Sequence, residues 1–209
     1  MFPLGTPLLP GGLLPLHVFE LRYRMMIDDV IHSEHAEFGV VLIERGHEVG
    51  GGDTRARVGT MARVVRHEEF DDGRRAVVAV GDRRIRIDEW LADDPYPRAM
   101  VSDWPDSPTS DASPIAVELE SQLTANVDRF VELLRRVDEN APSIEGRTIG
   151  ETLDGYVHRI GSTLPIGPVD RQRLLEADDS VERVRRAVEA VEDLEAVVRF
   201  RLGLSEPDR

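Results

Sequence analysis

The sequence predicts an α+β chain: a mixed β-barrel with one inserted helix, followed by an α-helical bundle. Three observations carry this. Short apolar strands separated by glycine and proline turns crowd residues 1–104. One helical stripe interrupts them after Glu20. After a Pro/Ser/Asp stretch at 105–113 the apolar period changes to that of helices. The expected division is a barrel over 1–105 and a helical part over 113–205.

The opening MFPLGTPLLPGGLLPLHVFE is as apolar as a secretory leader but carries no Lys or Arg before Arg22. Pro3, Pro7, Pro10 and Pro15 would each break a short helix. A leader and a membrane span both fail on that ground, and the expected location is cytoplasmic. The stretch reads instead as folded core: apolar runs Pro7–Leu9 and Leu13–Phe19 around the turn Pro10-Gly11-Gly12. Tyr23, Met26, Ile27, Val30 and Ile31 then mark one face of a helix.

Strands follow. FGVVLI at Phe38–Ile43 suits a strand buried on both faces. Val58–Val65 and Arg75–Val80 flank Asp71-Asp72-Gly73 as a hairpin. Arg84–Trp90 alternates with period two, and Arg98–Trp104 is the last strand. In the second half, Ser113-Pro114 starts a helix with the stripe Ile115, Leu119, Leu123, Val127, Phe130 and Leu134. Further helices are expected over Thr148–Ile160 and from near Asp170. The last begins at Asp179 with Glu182 completing a capping box, and Gly203 ends it.

Composition excludes several chemistries. The absence of cysteine removes disulfides, thiolate metal sites and cysteine nucleophiles. All 26 basic residues are arginine. A phosphate loop, a Ser-Lys dyad and Schiff-base chemistry each need a lysine, so none can be built from these residues. The net charge of −14, spread over both halves, argues against a nucleic-acid partner.

Candidate sites are few. His32 and His35, with Glu37 nearby, lack the four-residue spacing of helical zinc ligands and read as surface histidines. Gly50-Gly51-Gly52 reads as a loop between strands. No metal, cofactor or catalytic set is expected. The cluster Phe19, Glu20, Arg22 and Tyr23 has two readings. In one, Tyr23 joins the core while Glu20 and Arg22 tie the helix start. In the other, the cluster borders an apolar groove for polypeptide.

The string FPLGTPLLPGGLLPLHVFELRYRMMIDD resembles the opening of the Lon protease N-terminal domain, with its Pro-Gly turn, Pro-Leu-x-Val-Phe-Glu and an Arg-Tyr at a helix start. The resemblance continues through FGVVLI, VGTMARV, DGRRAVVAVGDRRIRI and PYPRAMV into LPIGPVDRQRLLEADDSVERV. Leu21 departs from it where relatives often have proline. The resemblance implies a barrel of the PUA-like type and a bacterial, cytoplasmic, non-enzymatic protein-binding module without the ATPase and protease modules. Its partners would be unfolded or damaged polypeptides, or a protease that it serves as adaptor. In the second reading of the cluster, Phe19, Glu20, Arg22 and Tyr23 are the polypeptide-binding residues. Two alternatives are a nucleic-acid-associated PUA-like protein and a small-molecule sensor.

Overall fold

The computed structural model describes residues 1–46, 54–105, 113–138, 141 and 143–204. The glycine loop Gly50–Gly52 and most of the stretch joining the two halves lie outside them. The chain divides into two compact units, Met1–Pro105 and Asp106–Arg209.

Unit 1 holds strands β1 (Phe2–Leu4), β2 (Leu13–Val18), β3 (Glu37–Arg45), β4 (Thr54–Glu69), β5 (Arg75–Leu91) and β6 (Arg98–Asp103), with helix α1 (Leu21–Ile31) between β2 and β3. The strands form one sheet in the order β1-β3-β4-β5-β2, and β6 also pairs with β5. Only β1 with β3 is parallel among these ladders.

The sheet departs from the expected barrel: its ladder path ends at β1 and β2 without closing. Both end strands contain proline, Pro3 and Pro15, which has no N–H to donate to a closing ladder. β1 is Phe2–Leu4 rather than the expected Pro7–Leu9. Leu8 and Leu9 instead pass, buried, over the middle of the sheet, where the Thr60 hydroxyl donates to the Leu8 carbonyl at 2.5 Å.

β5 is also longer than its sequence suggests. Arg75–Val80 and Arg84–Trp90 are two halves of one strand. Its first half pairs with β2 and its second with β6. Between them Gly81 exchanges hydrogen bonds with the Pro10-Gly11-Gly12 turn: Gly11 N–H donates to the Gly81 carbonyl (2.8 Å), and Gly81 N–H to that of Gly12 (2.9 Å). A Cβ at position 81 would collide with the Leu9 carbonyl, so glycine permits this approach.

Helix α1 lays Tyr23, Met26 and Ile27 on the sheet, in a core with Phe2, Leu8, Val18, Phe38, Val40, Ala62, Val77 and Ala79. Each large apolar side chain so buried contributes about 1.5–3 kcal/mol.

Unit 2 is helical in its described residues: α2 (Pro114–Arg135), α3 (Leu153–Thr163), α4 (Pro168–Leu175) and α5 (Ser180–Leu202). Ser113 caps α2 by accepting from Ala116 N–H, and Asp179 caps α5 by accepting from Glu182 N–H. Gly203 ends α5 at φ 65°, a left-handed turn suited to glycine. Helix α3 starts at Leu153 instead of Thr148, because Thr152 caps it while Thr148 bonds Glu151 in a preceding turn. The buried face of α2 is Ala116, Leu123, Val127, Phe130, Val131 and Leu133, so Ile115 points outward.

Candidate polypeptide-binding groove

The open ends of the sheet define the site. A cavity of about 230 Å³ lies where β1, β2 and the head of α1 converge, lined by Phe2–Leu4, Pro15–Glu20 and Tyr23. Phe2, Val18 and Tyr23 are buried, whereas Phe19 is 61% exposed and projects from the segment joining β2 to α1. An exposed aromatic beside buried apolar residues leaves a surface that water wets poorly.

Local chemistry fixes this geometry. Helix α1 begins after Glu20, whose extended backbone makes it the N-cap although its side chain caps no N–H. That carboxylate instead accepts from Arg22 Nε at 3.1 Å. The Arg22 guanidinium also sits 4.6 Å from the centre of the Tyr23 ring, a cation–π contact worth about 0.5–1 kcal/mol at an exposed site. Tyr23 stacks on Phe2, centroids 4.4 Å apart and planes 19° from parallel. Phe19, Glu20 and Tyr23 therefore line the cavity, while Arg22 braces Glu20 and Tyr23 without lining it. Sequence reasoning assigned Phe2, Pro3, Leu4, Pro15 and Leu16 to the core and so missed them as lining residues. The only signal for them was the density of prolines among large apolar residues.

The other candidates resolve into structural roles. His32 Nδ1 lies 2.7 Å from the Asp28 carbonyl of the preceding turn. Glu37 meets Arg83 with both carboxylate oxygens, each at 3.1 Å. No group of three or more His, Asp or Glu side chains is placed to hold a metal ion among the described residues. Arg83 also meets Asp82 and Asp103, and these hydrogen bonds, that to Glu37 foremost, hold its guanidinium more firmly charged than usual. Arg84 and Arg86 each lie 4.5 Å from the Trp104 ring. The arginine run at 83–86 is thus engaged with carboxylates and an indole. The Tyr96 phenol is pushed up to about 12 because its OH donates to Asp29 at 2.6 Å.

A second cavity in unit 1, of about 350 Å³, is lined by Met1, Met26, Met61, Val101 and others, with Glu37 and Arg98 among them. No described helix is long and apolar enough to cross a membrane.

The open sheet thus carries one helix on its face and an apolar groove at its ends. The chain belongs to the family described as the ATP-dependent protease La (LON) substrate-binding domain, which matches residues 1–193. Among curated relatives, Lon protease 2 of Herpetosiphon aurantiacus is 29% identical over 187 residues, 88% of this chain and 22% of that protein. The LON peptidase N-terminal domain and RING finger protein of Schizosaccharomyces pombe is 25% identical over 195 residues, 81% of this chain and 40% of that protein. The chain therefore spans well under half the length of these relatives. Among solved structures, a Lon N-terminal domain protein from Xanthomonas campestris superposes with a TM-score of 0.64 at 26% identity, covering 90% of this chain and 95% of that one. The N-terminal domain of Lon protease from the Mycobacterium avium complex shares the fold, with a TM-score of 0.60 at 20% identity, covering 91% and 97%.

Proposed function

We infer that this protein is a non-enzymatic recognition module that binds exposed apolar segments of unfolded or damaged polypeptides, for itself or as adaptor to a protease. The observation that carries this is the groove at the open ends of the sheet, with Phe19 exposed on its rim and Phe2, Val18 and Tyr23 buried beneath. Membership of a substrate-binding family supports it. Phe19, Glu20 and Tyr23 form the contact surface, and Arg22 holds it in shape. Binding is weak and mostly apolar, since an extended client loses chain entropy on docking. Unit 1 is the PUA-like binding domain and unit 2 a separate helical domain, and the setting is cytoplasmic. Nucleic acid is disfavoured by the net charge of −14 and by the carboxylates that hold Arg83.

Fluorescence anisotropy against labelled unfolded casein and labelled single-stranded RNA, at low and high salt, tests the reading. Casein binding that survives added salt is the expected result. RNA binding that collapses with salt, or binding to neither, overturns it.

A further inference from the structure

A polypeptide settling beside an open sheet edge can bind in two ways. It can add a strand, with main-chain hydrogen bonds supplying affinity, or it can seat side chains alone. The lining of the groove separates the two. Both ends of the ladder path face it, and both carry proline there. Pro3 is the middle residue of β1, and Pro15 stands opposite Val78 within β2.

Proline is confined within sheets to places where its nitrogen faces the open side or where pairing ends. The N–H groups of a strand point alternately toward its neighbour and away from it. The open-side set of β2 is then Leu13, Pro15 and His17, whose central donor is missing. In β1, which pairs with β3 along all three residues, the same rule puts Pro3 in the open-side position and turns the N–H groups of Phe2 and Leu4 toward β3. An incoming strand would find no central donor on either edge. Proline at an edge is also a common guard against unwanted strand pairing. The side-chain surface carries no such block: Phe19 stands exposed over Phe2, Val18 and Tyr23.

Resting on the polypeptide-binding reading above, we propose that the groove recognises apolar side chains without adding a strand. The client's backbone donors and chain direction are then not read, and the ligand class is any exposed apolar segment rather than a β-forming motif. Breadth of this kind suits a module that meets unfolded chains of many sequences.

The test uses a labelled peptide in which Leu and Phe alternate with Ser, and the intact protein. Two analogues are N-methylated at every second residue, one in each phase, so that between them every backbone donor is removed. A retro-inverso D-peptide, which keeps side-chain order while reversing each amide, is the further comparison. All three are expected to bind within about threefold of the parent, whereas a loss beyond about tenfold for either methylated phase shows strand addition and overturns the proposal. Loss confined to the modified peptides leaves the polypeptide-binding reading intact. If the parent peptide itself fails to bind, that reading falls and the side-chain mode with it.

Discussion

The ring of Phe2 lies flat against that of Tyr23, 4.4 Å between centroids, and so ties the first strand of the sheet to the first helix. Both rings are buried, while Phe19 nearby is 61% exposed. The groove therefore has a structural floor and a free rim, which separate under substitution. Tyr23→Ala is expected to cost about 3–5 kcal/mol of stability, as truncation of a large core side chain does. Phe19→Ser should change stability by no more than about 0.5 kcal/mol, as a surface substitution, yet weaken binding of unfolded casein. Urea denaturation and anisotropy on the same two variants check both halves.

Arg183 is fully buried in unit 2. It pairs with Asp154 of α3, while its Nε donates to the Leu174 carbonyl (3.1 Å) and its other terminal nitrogen to that of Ala177 (3.1 Å). Ser180 adds a hydrogen bond to the second Asp154 oxygen at 2.7 Å. Asp154→Ala takes the Asp154 carboxylate away from a fully buried cation and is expected to cost about 3–5 kcal/mol. The double variant Asp154→Ala/Arg183→Met should lose less stability than the two single variants combined, because the two side chains interact directly. A double-mutant cycle by chemical denaturation measures this.

Acid should loosen the loop ahead of α3. The Glu151 carboxyl is lowered from its ordinary 4.5 to about 2, first by its hydrogen bonds from Arg159 and then by those from Thr148. A carboxyl depressed on folding stabilises above its unfolded value, and that contribution is lost as pH falls from about 4.5 through about 2. Glu151→Gln should lower stability at pH 7 and make it fall less steeply between pH 5 and pH 3. Urea midpoints of the two proteins at pH 7, 5 and 3 decide it.

Gly81 is where β5 admits the Pro10-Gly11-Gly12 turn. Gly81→Ala puts a methyl group into the Leu9 carbonyl, which is backbone and cannot rotate aside. The expected loss is about 1–3 kcal/mol, as for other overpacked sites. A thermal unfolding midpoint equal to that of the unsubstituted protein would contradict this close approach.

The edge prolines should also keep the protein from pairing with itself. Pro15→Val restores a main-chain donor at the centre of β2, and concentration-dependent association in sedimentation velocity is the expected result. A monodisperse variant, unchanged from the parent across the concentration series, would show that the edge is guarded by something else.

Local signals made much of this fold legible. Ser113-Pro114 marks the start of α2, and the Asp179–Glu182 pair and Gly203 mark the two ends of α5, where the structure places them, because caps depend on neighbours in sequence. The period of Tyr23, Met26 and Ile27 likewise gave the buried face of α1. What could not be read depends on distant partners. Gly81 and the charges after it separate two strand patterns, yet β5 runs through them because β4 pairs across the join. β1 carries too few residues to show a period, and its parallel pairing with β3 is entirely long-range. Arg183 and Glu195 look like surface charges on α5, and only partners such as Asp154 and Arg129 explain their burial. Phe19 through Tyr23 could be picked out as a cluster, whereas the opposing wall from Phe2 to Leu4 required the sheet's topology.

Whether client polypeptide enters between the two edge strands is read out most directly by nuclear magnetic resonance mapping. Isotope-labelled protein would be titrated with the alternating Leu/Phe/Ser peptide and amide shifts followed residue by residue. Perturbations are expected to concentrate on Phe2, Leu4, Leu16–Glu20 and Tyr23. Saturable shifts confined to the cavity of Met61 and Val101, or to the helices of unit 2, with the edge strands unmoved, would contradict entry between them.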